Sequence, residues 1–243
     1  MSDKSALINQ FFKYINTTTG RDKINRTLQH TFKFLLAYNI KYNGKEETIA
    51  WIRNVIKNIQ LSRKFVRIGK PLEHVNTFYK TLTIKDDFSK YCVLGRNFAY
   101  AIYLTFDMMV WFHKSGVHKT ENIKNVTKNA QRFWLVGIIF GILNETFKLK
   151  KTNEKILSIS SKTVTNEKEK EPEDKKRDAD DLKKLLDKKR NHYLTLTQHF
   201  CDFVHPISTL GFCRIEPLYL ALFGISSSVL GARAQWIKVN GKK

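Results

Sequence analysis

His199, Cys201, His205 and Cys213 are the side chains whose types and crowding come nearest to metal chemistry, because zinc takes imidazole and thiolate ligands at short spacings. Their spacing argues against it. His199 and Cys201 are two residues apart, not the four that bring two ligands onto one helical face, and Pro206 is expected to interrupt a helix there. His113 and His118 stand beside Lys114 and Lys119 at the edge of an apolar run, where proton transfer would need a partner group that the local sequence does not offer. No GxGxxG, P-loop, GxSxG, HExxH or paired-carboxylate pattern occurs. The chain therefore reads as a protein that is not an enzyme and uses no cofactor.

A different chemistry is written in residues 61–82. Leu61, Phe65, Ile68, Leu72, Val75, Tyr79 and Leu82 recur at alternating spacings of four and three. At helical pitch they form one apolar stripe about 100° wide. Arg63, Arg67, Lys70 and His74 fall on the opposite side, while Lys57 and Lys64 flank the stripe where long stems can snorkel. Such a cationic amphipathic helix can lie in a bilayer interface, its apolar face sunk about 5–10 Å and its cations on anionic headgroups. The same stripe also suits a helix packed on its neighbours with a solvated basic back.

The elements around it read as helix nearly throughout. Four prolines and eleven glycines serve 243 residues, and apolar residues recur at three and four. Helices are expected over 4–16, 23–40 and 47–69, with Thr19-Gly20-Arg21-Asp22 as a break. Pro71 either opens a new helix or kinks a continuous one reaching Thr81. Apolar runs occupy 97–112, 133–143 and 218–231, all shorter than the roughly 20 residues that span hydrocarbon. The first contains Asp107, a residue that costs about 2.5–3.5 kcal/mol at a bilayer centre. Buried bundle helices and helices lying partly in the membrane both fit these runs. Gly137 and Gly141 form a GxxxG that would let two helices, including those of two copies, approach closely.

The fold class expected is all-α, a membrane-associated helical bundle with short hydrophobic helices and a disordered charged insert. Its parts are an N-terminal helical region over 1–149, a charged disordered linker over 150–190, and a C-terminal helical hairpin over 191–243. The linker is assigned because Lys, Glu, Asp, Ser and Thr dominate it and bury too little apolar surface to offset ordering entropy.

Lys and Arg number 43 against 22 Asp and Glu, a formal charge of +21, so a polyanionic partner is expected. Residues 1–149 hold 24 basic and 10 acidic side chains, which makes that part the electrostatic footprint. An anionic phospholipid membrane fits better than nucleic acid. Aromatic residues such as Trp51, Phe65 and Tyr79 accompany the charge, but no helix-turn-helix, zinc-finger or RNA-recognition signature appears. Three cysteines without CxxC spacing suggest neither a disulfide framework nor a zinc site, and the N-terminus lacks the apolar core of a secretory signal.

Three segments in order resemble the peroxin-11 family. Thr19-Gly20-Arg21-Asp22-Lys23 with Arg26 and Gln29 is similar to its N-terminal element, with His30 where Tyr is usual. The segment from Arg63 and Lys64 through Arg67, Gly69, Lys70 and Leu72 resembles its basic amphipathic element. Gly224, Ser226, Ser227 and Gly231, followed by Trp236, resemble its C-terminal element. The match covers roughly 15–148 and 191–237. The resemblance implies a peroxisomal membrane protein that inserts its amphipathic helix to elongate the membrane, forms homo-oligomers and works with the dynamin-type fission machinery. Leu61, Phe65, Ile68 and Leu72 would then be the lipid wedge and Arg63, Lys64, Arg67 and Lys70 the headgroup contacts. A solute pore supporting fatty-acid oxidation is the alternative that the same resemblance implies.

Overall fold

The computed structural model describes residues 2–165 and 172–241. Among them there are eight helices and no strand: α1 (Ser2–Ile15), α2 (Thr18–Lys41), α3 (Glu46–Val66), α4 (Lys70–Thr81), α5 (Asp87–Ser115), α6 (Ile123–Thr165), α7 (Pro172–Leu210) and α8 (Pro217–Asn240). Local chemistry explains the boundaries. Thr17 caps α2 by accepting a hydrogen bond from the Gly20 amide at 2.9 Å. Asp86 caps α5 by accepting from the Ser89 amide at 2.9 Å. The expected break at 19–22 is therefore corrected: the break lies at Asn16 and Thr17, and Gly20 and Asp22 belong to the first turns of α2.

The alternatives left open at Pro71 are resolved in favour of a new helix. α3 ends at Val66, Gly69 takes a left-handed φ of 91°, and Pro71 stands in the first turn of α4. Proline needs no amide donor there, and glycine carries no side chain to oppose the left-handed turn.

The helices close a ring. α2 packs on α3, α3 and α4 pack on α5, then α5 on α6, α6 on α7, α7 on α8, and α8 returns to α2, with α1 against α2 and α8. The expected separate N- and C-terminal regions thus meet directly along α2 and α8. Disorder across 150–190 is likewise replaced by helix in its described part, where α6 runs to Thr165 and α7 starts at Pro172; residues 166–171 lie outside the described residues. The physical reason is periodicity. Ile156, Ile159, Leu182 and Leu185 are sparse but spaced by three, each is half-buried, and Lys and Glu between them are good helix formers.

What the ring encloses is unusual. Among the described residues, sixteen polar or charged side chains are buried against twelve apolar ones, so the interior is not an oil-like core. The outside carries thirty-two exposed large hydrophobic residues, with at least one on every helix. Among the described residues no helix is long and apolar enough to cross a membrane.

Candidate functional site

The basic side chains predicted for headgroup contact turn inward. Arg63 on α3 is 8% exposed, donates from Nε to Asp22 Oδ1 at 3.0 Å, and donates from Nη1 to Gln29 Oε1 at 2.6 Å. Lys64 pairs with Asp107. Arg67 reaches the second Asp107 oxygen at 2.7 Å and the Tyr103 hydroxyl at 3.1 Å. Lys70 donates to the Thr19 hydroxyl at 3.2 Å. The expectation placed these side chains at lipid headgroups; the structure gives them partners inside the ring. The reason lies in Asp22 and Asp107, buried carboxylates that draw guanidinium and ammonium groups across helix boundaries.

The apolar stripe faces the other way. Phe65 is 58%, Leu72 73% and Tyr79 66% exposed, and Ile68, Val75 and Leu82 are exposed beside them. Leu61 is half-buried. The apolar residues are thus exposed on both sides of the Gly69 turn, Phe65 on α3 and Leu72, Val75 and Tyr79 on α4. Arg53, Lys57 and Lys80 remain exposed on these two helices.

The residues of the three sequence segments converge. Asp22 on α2 meets Arg63 on α3, and Arg26 on α2 pairs with Asp202 on α7 while donating to the Ser227 hydroxyl on α8 at 2.9 Å. Gly224 lies so close to His30 that an added Cβ would stand 2.0 Å from its Nδ1. That approach explains the glycine there. Lys23 lies over Gly231, 3.0 Å from where a Cβ would sit. Three segments up to two hundred residues apart thus build one charged interior.

Its electrostatics follow from burial and neighbours. Burial alone would raise the Asp22 and Asp202 carboxyls, but Arg63 and Arg26 override it and hold both below the usual range. Burial, reinforced by adjacent Arg26, pushes Lys23 down to about 8. Burial, reinforced by Arg63 and Arg26, pushes Lys33 down to about 8 as well. His199 and His205 are pushed down to about 4, chiefly by burial, with cationic neighbours adding to it.

The other expected sites are placed as follows. Gly137 is buried against Tyr100 on α5, 2.7 Å from where its Cβ would sit, and Gly141 against His199 on α7, at 3.0 Å. Both serve close approach within one chain, which accounts for the GxxxG without a second copy. Of the residues weighed for zinc, His199 and His205 line the interior, Cys201 is buried and Cys213 is exposed. α7 continues through Pro206 to Leu210 instead of stopping there. Sequence reasoning missed Asp202 altogether. Its signal was an isolated carboxylate in the otherwise uncharged stretch 191–213.

The family model for peroxisomal biogenesis factor 11 (PEX11) matches residues 8–236. The chain belongs to the peroxisomal biogenesis factor 11 family. It is 27% identical to the peroxisomal membrane protein PMP30B of Candida boidinii, covering 95% of this chain and 94% of that one. It is 22% identical to peroxisomal biogenesis factor 11 of Schizosaccharomyces pombe, covering 93% of each. It is also 22% identical to the human peroxisomal membrane protein 11A, over 91% of this chain and 93% of that one. No solved structure matches the chain. As a member of the family, it is a peroxisomal membrane protein of peroxisome biogenesis and proliferation. The segments that carried the resemblance are the same ones that meet in the charged interior.

Proposed function

We propose that this protein elongates the peroxisomal membrane by sinking the outer apolar face of α3 and α4 into one leaflet, thereby promoting proliferation and fission. The observation that carries the reading is the direction of that face: Phe65, Leu72, Val75, Tyr79 and Leu82 are exposed while Arg63, Lys64 and Arg67 are paired inside. An apolar ridge held rigid from behind widens the headgroup layer without a matching insertion in the other leaflet, and that asymmetry favours curvature. The inner ion pairs are positioning devices, fastening α3 to α2 and α5 so that the ridge stays outward. Direct attraction to anionic phospholipid passes to the exposed Arg53, Lys57 and Lys80, each contributing on the order of 1 kcal/mol. Self-association and recruitment of dynamin-type machinery would act on the elongated membrane.

The test is flotation of the full chain with liposomes, followed by electron microscopy for tubules. Replacing Phe65, Leu72 and Tyr79 together by Ser is expected to lower liposome binding at least about tenfold and abolish tubules, with helicity retained. Undiminished binding and tubulation would sink the reading.

A further inference from the structure

The ring surrounds a cavity of about 660 Å³ whose walls carry ten Lys and Arg side chains against four carboxylates. The carboxylates are already engaged: Asp22 by Arg63, Asp107 by Lys64 and Arg67, Asp202 by Arg26, and Glu145 by His192 and Lys148. Lys23 and Lys33 are half-buried and have no ion-pair partner among the described residues, Lys114 also has none but is exposed, and Arg96 lies over the Tyr100 ring at 5.5 Å. Lys70 has only a hydroxyl. Shielding ammonium groups from water without an ion-pair partner is expensive, and a folded chain that does so at both Lys23 and Lys33 in one cavity is arranged for an anion.

A second observation points the same way. His30 Nδ1, His205 Nε2 and both ring nitrogens of His199 line this cavity, are nine-tenths or more buried, and find no hydrogen-bond partner among the described residues. A neutral imidazole offers an N–H donor to an anion at no cost in charge. The volume also lies within the range of small-molecule sites, roughly 300–1,000 Å³.

We propose that the interior cavity binds a phosphate-bearing polyanion, with Lys23, Lys33, Arg96 and Lys114 meeting its charges and the buried histidines donating hydrogen bonds. Phosphate fits better than a lone carboxylate because several acceptor oxygens and up to two charges per group suit many convergent donors. The phosphate is that of a free diphosphate-type solute or of a phosphorylated lipid headgroup.

The site predicts its own pH dependence. Around Lys23 stand Asp22 and Arg26 on α2, Arg63 on α3 and Asp202 on α7; around Lys33 stand Arg26 and His30 on α2, Arg63 on α3 and His205 on α7. With both amines near 8, cavity charge falls as pH rises through that value. Anion affinity weakens over the same interval, and binding at pH 8 takes up protons because the anion favours the ammonium form.

The experiment is calorimetric titration of the full-length protein in detergent with inorganic pyrophosphate, in buffers of different ionisation enthalpy. A parallel arm reads the thermal midpoint in lipid nanodiscs containing phosphatidylinositol 4-phosphate or a charge-matched amount of phosphatidylserine. Binding of pyrophosphate identifies a free phosphate source. A midpoint rise specific to the phosphoinositide, without pyrophosphate binding, identifies the headgroup. In either arm, combining Lys23→Gln with Lys33→Gln reduces affinity at least about tenfold, whereas Lys41→Gln on the outside does not. A Lys33→Arg chain keeps binding but loses part of the fall near pH 8, which separates charge from folding. Absence of binding in both arms, or equal affinity in the Lys23→Gln, Lys33→Gln chain, overturns the proposal. The inference stands apart from the lipid ridge, because the cavity variant leaves flotation unchanged and the ridge variant leaves pyrophosphate binding unchanged.

Discussion

Asp107 sits in the middle of an apolar run, where an isolated carboxylate would be costly, and it is 5% exposed between Lys64 and Arg67. Removing it leaves two cations without their counter-charge. Asp107→Ala is expected to destabilise the fold by about 3–5 kcal/mol, read as a lower thermal midpoint in detergent. The other buried carboxylates give a pH signature. Asp22 and Asp202 titrate below their ordinary value of 3.8, held down by Arg63 and Arg26 against the opposing effect of burial. A depressed folded value means their stabilisation is fully present above the unfolded value and disappears as pH falls below it. Acid unfolding is therefore expected below about pH 4, and Asp202→Asn should blunt that acid step while lowering stability at neutral pH. At this scale the sequence showed Asp107 as an anomaly but not its resolution. Lys64 and Asp107 lie 43 residues apart on different helices, a distance that periodicity does not see.

Helix positions were largely legible, because α2, α3 and the runs in α5, α6 and α8 repeat apolar residues at three and four. What pattern alone misread was direction. The hydrophobic stripe of 61–82 was legible to the residue, yet its cations were assigned to lipid headgroups because a one-dimensional helix has no knowledge of carboxylates on α2 and α5. The charged stretch after Lys150 was misread for a different reason, composition having outweighed the spacing of Ile156, Ile159, Leu182 and Leu185. Gly69 marks the joint between α3 and α4 with its φ of 91° and open space around it. Gly69→Ala should cost about 1 kcal/mol through backbone strain alone, with Gly69→Asn milder, measured by thermal unfolding. Because this turn joins the two half-stripes and sets the angle between them, the Ala chain is also expected to form fewer tubules at equal liposome binding.

As a whole molecule, the protein inverts the usual partition: ion pairs, histidines and serines inside, and Phe, Leu, Tyr and Trp outside. Ten of its 43 Lys and Arg side chains line the cavity, so part of the charge of +21 faces the interior. Charge and composition raised the expectation of a polyanionic partner; only the closure of α8 onto α2 encloses the cavity proposed to hold one. The central claim is that the outer face of α3 and α4 meets lipid. Spin labels at single cysteines along α4, introduced into a Cys213→Ser chain whose other cysteines are buried, read it directly in liposomes. Labels at Leu72, Val75 and Tyr79 are expected to collide with lipid-soluble oxygen and be shielded from a water-soluble nickel reagent, with Glu73, Thr77 and Lys80 showing the reverse. Uniform exposure of all six to the nickel reagent would contradict the account.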